Sequence, residues 1–135
     1  MSVKKVIIFT DGAARGNPGP AAIGVVIQDE AGNTLARISR RLAATTNNQA
    51  EYRAIIAGLE KAVSLGVGTV VIKSDSELVV NQINGKYKIK NTALRPLYQK
   101  VVQLAGSLES LTVSYIPRNR NSEADALANK ALDRH

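Results

Sequence analysis

The hydrophobic residues change period partway along the chain, and this change limits its possible folds more than any other feature. Alternation with a period of two marks a half-buried strand, whereas recurrence at i, i+3, i+4 and i+7 marks one face of a helix. A β-branched, aromatic-containing run over 3–10 stops at Asp11-Gly12 and reads as a first strand. Gly16-Asn17-Pro18-Gly19-Pro20 reads as a turn, because two prolines cannot donate to a ladder and glycines permit positive φ. Residues 21–28 and 34–42 read as two more strands joined across 29–33, which makes an antiparallel three-stranded meander. The pattern then becomes helical. Thr46-Asn47-Asn48-Gln49 has capping-box spacing, Tyr52, Ile55, Ile56, Leu59 and Val63 follow the helical repeat, and Gly66 ends it.

Val70-Val71-Ile72 is a continuous apolar run of the kind buried on both faces, ending at Lys73-Ser74-Asp75. A helix over 76–83, a basic loop over 84–92, a helix over 94–108, a strand over 111–116 and a helix over 121–133 follow. The order β-β-β-α-β-α-α-β-α predicts an α/β fold with one mixed five-stranded sheet, antiparallel at its start and parallel afterwards, flanked by helices on both faces. A chain of 135 residues has the length of one domain, so a single domain over 1–135 is expected.

Several chemistries are excluded early. There is no cysteine, and the only histidine is the last residue, His135, so disulfides, thiol nucleophiles and Cys- or His-based metal sites fall away. No apolar run approaches the ~20 residues that span a bilayer, and the first ten residues lack a cleavage site. The expectation is a cytoplasmic monomer with no membrane partner and no small-molecule cofactor. The net charge is +7, and no acid occurs between Leu78 and Leu108, where Lys86, Lys88, Lys90, Arg95 and Lys100 lie. Such a surface suits a polyanion, the plainer alternative being lysines that keep a helix and loop solvated. Of the tyrosines, Tyr52 and Tyr115 are assigned to the core, and Tyr87, among lysines, is the candidate stacking platform.

The acids carry the chemistry. Asp11 and Asp75 each end a hydrophobic strand, and ligand sites in open α/β sheets assemble at the carboxyl ends of strands. Glu51 falls in the first turn of the capped helix and Asp125 in the first turn of the last one, both at the margin of the buried face. Structural roles compete: Glu51 and Asp125 as complements to helix N-termini, Asp75 as a cap. Four such roles at once are less credible, since carboxylates at a core margin cost desolvation energy unless a positive partner joins them. Oxygen-only donors suit Mg²⁺ or Mn²⁺, and two ions about 3.5–4 Å apart support in-line displacement at phosphorus. With the basic segment, this points to hydrolysis of a nucleic acid phosphodiester.

The run from Phe9 to Pro20, FTDGAARGNPGP, resembles the first signature of type 1 ribonuclease H. Three further matches follow in order: Thr46 to Glu51, Ser74-Asp75-Ser76, and Asn121 to Ala128. The resemblance spans nearly the whole chain. The resemblance implies a ribonuclease H-like fold and an endonuclease that cuts the RNA strand of RNA-DNA hybrids, leaving 3′-hydroxyl and 5′-phosphate ends. It implies two Mg²⁺ ions, replaceable by Mn²⁺, on Asp11, Glu51, Asp75 and Asp125. It also implies that Asn17, Thr46, Asn47 and Asn48 contact the hybrid. Gly12 and Ala13 beside Asp11 are expected to join Asn17, Asn47 and Asn48 in reading the 2′-hydroxyls, and Thr46, Lys90 and Asn91 to meet the DNA strand.

Two departures from that family matter. The loop that often carries a mobile histidine is Ile116-Pro117-Arg118-Asn119-Arg120 here, and Arg118 is the best-placed substitute. A guanidinium cannot act as a general base, so Arg118 serves either to neutralise charge and expel product phosphate or only to contact the nucleic acid backbone. Larger relatives also insert a basic, Trp-rich handle where this chain has only residues 84–92. The rival functions are a non-catalytic nucleic acid-binding module, disfavoured by the retained carboxylates, and a DNA strand-transfer enzyme, for which 135 residues leave little room.

Overall fold

The computed structural model describes residues 3–134. Five strands, β1 (Lys5–Ala14), β2 (Gly19–Gln28), β3 (Thr34–Thr45), β4 (Thr69–Ser74) and β5 (Ser110–Tyr115), form one sheet in the order β3-β2-β1-β4-β5. The helices are α1 (Asn47–Ser64), α2 (Glu77–Ile83), α3 (Arg95–Ala105) and α4 (Ser122–Asp133), with a 3-10 turn at Arg118–Arg120 before α4. β1 is central, antiparallel to β2 and parallel to β4, and β4 is parallel to β5. This is the mixed sheet expected from the change of period.

One face of the sheet carries the main core. Val6 and Ile8 of β1, Ile23, Val25 and Ile27 of β2, and Val70 and Ile72 of β4 pack with Tyr52, Ile55 and Leu59 of α1. Each large apolar side chain so buried contributes roughly 1.5–3 kcal/mol relative to exposure. The start of α1 is closed by the expected capping box: the Thr46 hydroxyl accepts the Gln49 N–H at 3.3 Å, and the Gln49 side chain accepts the Thr46 N–H at 3.1 Å. Its end is closed by Gly66 at φ +74°, where Gly66 and Val67 N–H groups donate to the Val63 and Ala62 carbonyls. Tyr52 is buried as expected, and its hydroxyl donates to Gln82 Oε1 at 2.8 Å.

The other face is covered by α4, which packs over β2, β1 and β3. β4 lies outside that cover, so Val71 is only half-buried while Val70 and Ile72, facing α1, are buried. The expectation that this run is buried on both faces is therefore corrected. Tyr115 is corrected too: at the end of the edge strand β5 it is 50% exposed. Strand lengths also exceed the sequence reading, with β1 running to Ala14 and β3 to Thr45, because each continues to pair with β2. α3 is shorter than expected and stops at Ala105, after which residues 106–108 turn into β5.

Candidate functional site

The site opens where two ladders on β1 end at different points. The parallel pairing with β4 stops at Thr10↔Ser74, while the antiparallel pairing with β2 continues to Ala14↔Ala21. Asp11 is therefore not the end of its strand, as the sequence suggested, but the first β1 residue beyond the reach of β4. Asp75 leaves the sheet beside it. Between them lies a cleft of about 290 Å³ bordered by Asp11, Glu51, Asp75 and Asp125, with Gly12, Ala13, Asn47, Ser76 and Arg118 around them.

Two glycines bring the helical acids to this cleft. A Cβ on Gly12 would stand 2.2 Å from the Ala50 carbonyl carbon and 2.3 Å from the Glu51 nitrogen, so only glycine lets α1 approach β1 there. A Cβ on Gly24 would stand 2.0 Å from the Ala124 carbonyl oxygen, and its absence seats the first turn of α4 with Asp125. Glu51 opens the second turn of α1 rather than lying in the first, where the sequence reading placed it. The first turn of α1 holds no acid, and the Glu51 carboxylate accepts a hydrogen bond from the Gly12 N–H. It is therefore not a complement to the helix N-terminus. Nor is Asp75 a helix cap, because the Ser76 hydroxyl accepts the Val79 N–H at 3.4 Å and caps α2 instead.

Asp11, Glu51 and Asp75 each offer a carboxylate oxygen lying within 4.8 Å of the others, a potential cation cluster among the described residues. Asp125 borders the same cleft and lies against Asp11. Burial, first of all, and then the charges of Asp75 and Asp125 push the Asp11 carboxyl up to about 8, with Arg118 pulling the other way. Burial and the charge of Asp11 likewise raise Glu51 well above the ordinary carboxylate range, against the Gly12 N–H bond. Buried acids crowded this closely lack a positive partner strong enough to balance them. An oxygen-only set of this kind fits a hard divalent cation such as Mg²⁺ or Mn²⁺.

The remaining residues singled out in the sequence divide into two groups. Gly12, Ala13 and Asn47 border the cleft, as does Arg118, whose largely exposed guanidinium lies 3.7 Å from Asp125. Asn17 and Thr46 instead organise the start of α1: Asn17 Oδ1 accepts the Asn47 N–H at 3.0 Å, and Thr46 is engaged in the capping box. Asn48, in the first turn of α1, Lys90 and Asn91 do not border the cleft, and Asn91 Oδ1 accepts the Ala93 N–H at 2.9 Å in a turn before α3. Tyr87 is exposed in a separate shallow groove with Arg95 and Tyr98. Sequence reasoning missed Ser76 and Asn121, whose side-chain amide donates to Asp75 Oδ2 at 3.0 Å. The available signal was their spacing: Ser76 follows Asp75, and Asn121 stands one helical turn before Asp125.

Residues 9–131 match the reverse transcriptase-like family model. The N-terminal ribonuclease H domain of a Mycobacterium tuberculosis protein, solved as a fusion with maltose-binding protein, is 43% identical with a TM-score of 0.92, covering 96% of this chain and 99% of that one. Ribonuclease H1 of Halobacterium salinarum is 40% identical with a TM-score of 0.93, covering 96% and 98%. LC11 ribonuclease H1, solved in complex with an RNA/DNA hybrid, is 45% identical with a TM-score of 0.91, covering 95% and 96%. A bifunctional protein of M. tuberculosis is 44% identical over 96% of this chain, which spans only 36% of that relative's length. With likeness of this degree over nearly all of its residues, the chain belongs to the ribonuclease H family.

Proposed function

We propose that this protein is an endonuclease that hydrolyses the RNA strand of RNA-DNA hybrids with two divalent ions, leaving 3′-hydroxyl and 5′-phosphate ends, and that it works as a monomer in the cytoplasm. The observation that carries this reading is the convergence of four acids from β1, α1, the end of β4 and α4 on one cleft. The hybrid bound by the LC11 relative supports the choice of substrate. Asp11, Glu51, Asp75 and Asp125 would hold the ions, Mg²⁺ or Mn²⁺. When bound, these supply charge neutralisation at the scissile phosphate and activation of water.

The chain's own groups do the rest. The Gly12 N–H holds Glu51 in place from the backbone, so that carboxylate is positioned before substrate arrives. Arg118, exposed at the rim, attracts the phosphate and neutralises charge on the departing product. Gly12, Ala13, Asn47 and Asn48 meet the RNA minor groove, while Asn17 acts by holding Asn47. Thr46, Lys90 and Asn91 follow the DNA phosphates, and no base edge need be read.

The test is cleavage of a labelled hybrid beside matched single-stranded RNA, duplex RNA and duplex DNA, with Mg²⁺, Mn²⁺ or EDTA. The expected result is metal-dependent cutting of hybrid RNA, lost in Asp75→Asn with hybrid binding retained. Equal cutting of single-stranded RNA, or undiminished cutting in EDTA, refutes the reading.

A further inference from the structure

Asn121 is 1% exposed, and a polar side chain so deeply buried is costly unless its hydrogen bonds are made. Both are made on the donor side. Its Nδ2 donates to the Thr10 carbonyl at 2.8 Å and to Asp75 Oδ2 at 3.0 Å. Its Oδ1 is the unpartnered buried side-chain atom among the described residues. That pattern is the reverse of what its position calls for. Asn121 is the N-cap of α4, where an Asn oxygen ordinarily accepts a free N–H of the first turn, yet it makes no such bond, at φ −120° and ψ 26°. A side chain that served only to cap the helix would turn its oxygen to the first-turn N–H groups. This one turns its amide to a carboxylate of the cleft.

The connections converge further. Thr10 directly precedes Asp11 on β1, Asp75 follows β4, and the Asn121 carbonyl accepts the Asp125 N–H at 3.1 Å. One residue therefore ties together the segments that present three of the four acids. The donor is neutral. A lysine or arginine in its place would cancel the charge that Asp75 offers a cation, whereas an amide fixes one oxygen and leaves the full negative charge. We infer that Asn121 is a positioning residue that locks the Asp75 carboxylate, and with it the spacing of Asp11, Asp75 and Asp125, for cation binding. This inference rests on the metal-dependent reading above.

The test is calorimetric titration of the whole 135-residue chain with Mg²⁺ or Mn²⁺ alone, comparing parent and Asn121→Ser, with hybrid KM and kcat measured against metal concentration. Serine can supply the N-cap acceptor that the Asn121 side chain does not, offsetting part of the two hydrogen bonds it loses, so the metal-free variant should stay folded at the titration temperature with a thermal midpoint moderately below the parent's. Cation affinity should fall roughly ten-fold or more, the loss typical when a partner of a metal ligand is removed. Turnover should recover as metal is raised, with hybrid KM unchanged. Asn121→Ala carries the same expectation should the serine variant not fold. Cation affinity within two-fold of the parent in a folded variant, or a rise in KM at constant affinity, overturns the inference alone. A parent that binds neither cation overturns both it and the function on which it rests.

Discussion

Replacing Asp11 by Asn should stabilise the metal-free protein while removing activity. Two full charges 4.8 Å apart, the limit of the acidic cluster, repel by about 3.5 kcal/mol at an effective dielectric constant of ~20. Proton linkage gives the pH dependence. The Asp11 carboxyl is raised from 3.8 to about 8, so its favourable contribution is complete below 3.8 and is lost as pH rises through 8. The metal-free parent should therefore weaken across that window, and the variant, whose amide does not titrate, should weaken less. Relaxation of the cluster, residual protonation and the burial of an amide all reduce the Coulomb figure. The expected gain is about 2 kcal/mol at pH 8, equivalent to ~6 °C in Tm for a chain of this size. Scanning calorimetry in EDTA at pH 5 and pH 8 measures it. Saturating Mg²⁺ should narrow or reverse the gap, because ligand binding stabilises the parent more. A variant no more stable than the parent at pH 8, or a gap as large at pH 5, would show that the acids are not crowded as described.

Arg118→Ala should slow turnover about ten-fold without abolishing it, since the guanidinium is exposed and only 3.7 Å at closest from Asp125; complete loss in a steady-state cleavage assay would make it indispensable. Gly24→Ala should cost about 3 kcal/mol in urea unfolding, because the new Cβ would stand 2.0 Å from the Ala124 carbonyl oxygen on a packed helix, and an unchanged midpoint would refute the role of close approach. Lys86→Ala, Lys88→Ala and Lys90→Ala should each lower the salt slope of hybrid binding by roughly one while leaving the cut positions unchanged. Unaltered slopes in all three would move the phosphate-contacting surface elsewhere.

The local devices of this fold were legible in the sequence because they depend on near neighbours. The Thr46–Gln49 capping box, the Gly66 helix end and the apolar stripe of α1 all follow from spacing within a few residues. The order of periods was enough to derive the mixed sheet, and the four acids stood out by their positions at element boundaries. What escaped was set by partners distant in the chain. Where β1 ends depends on β2 rather than on β1, so Asp11 proved to lie within a strand. Whether Val71 and Tyr115 are covered depends on where α4 lies and on β5 being an edge, neither of which is written in their own segments. The burial of Glu51, which raises its carboxyl, depends on Gly12 admitting α1 to the sheet. The bonds of the Asn121 amide could be found only in space, since its partners Thr10 and Asp75 lie 111 and 46 residues away. Periodicity and capping are properties of contiguous backbone, whereas ladder length, burial and side-chain pairing arise only when remote segments meet.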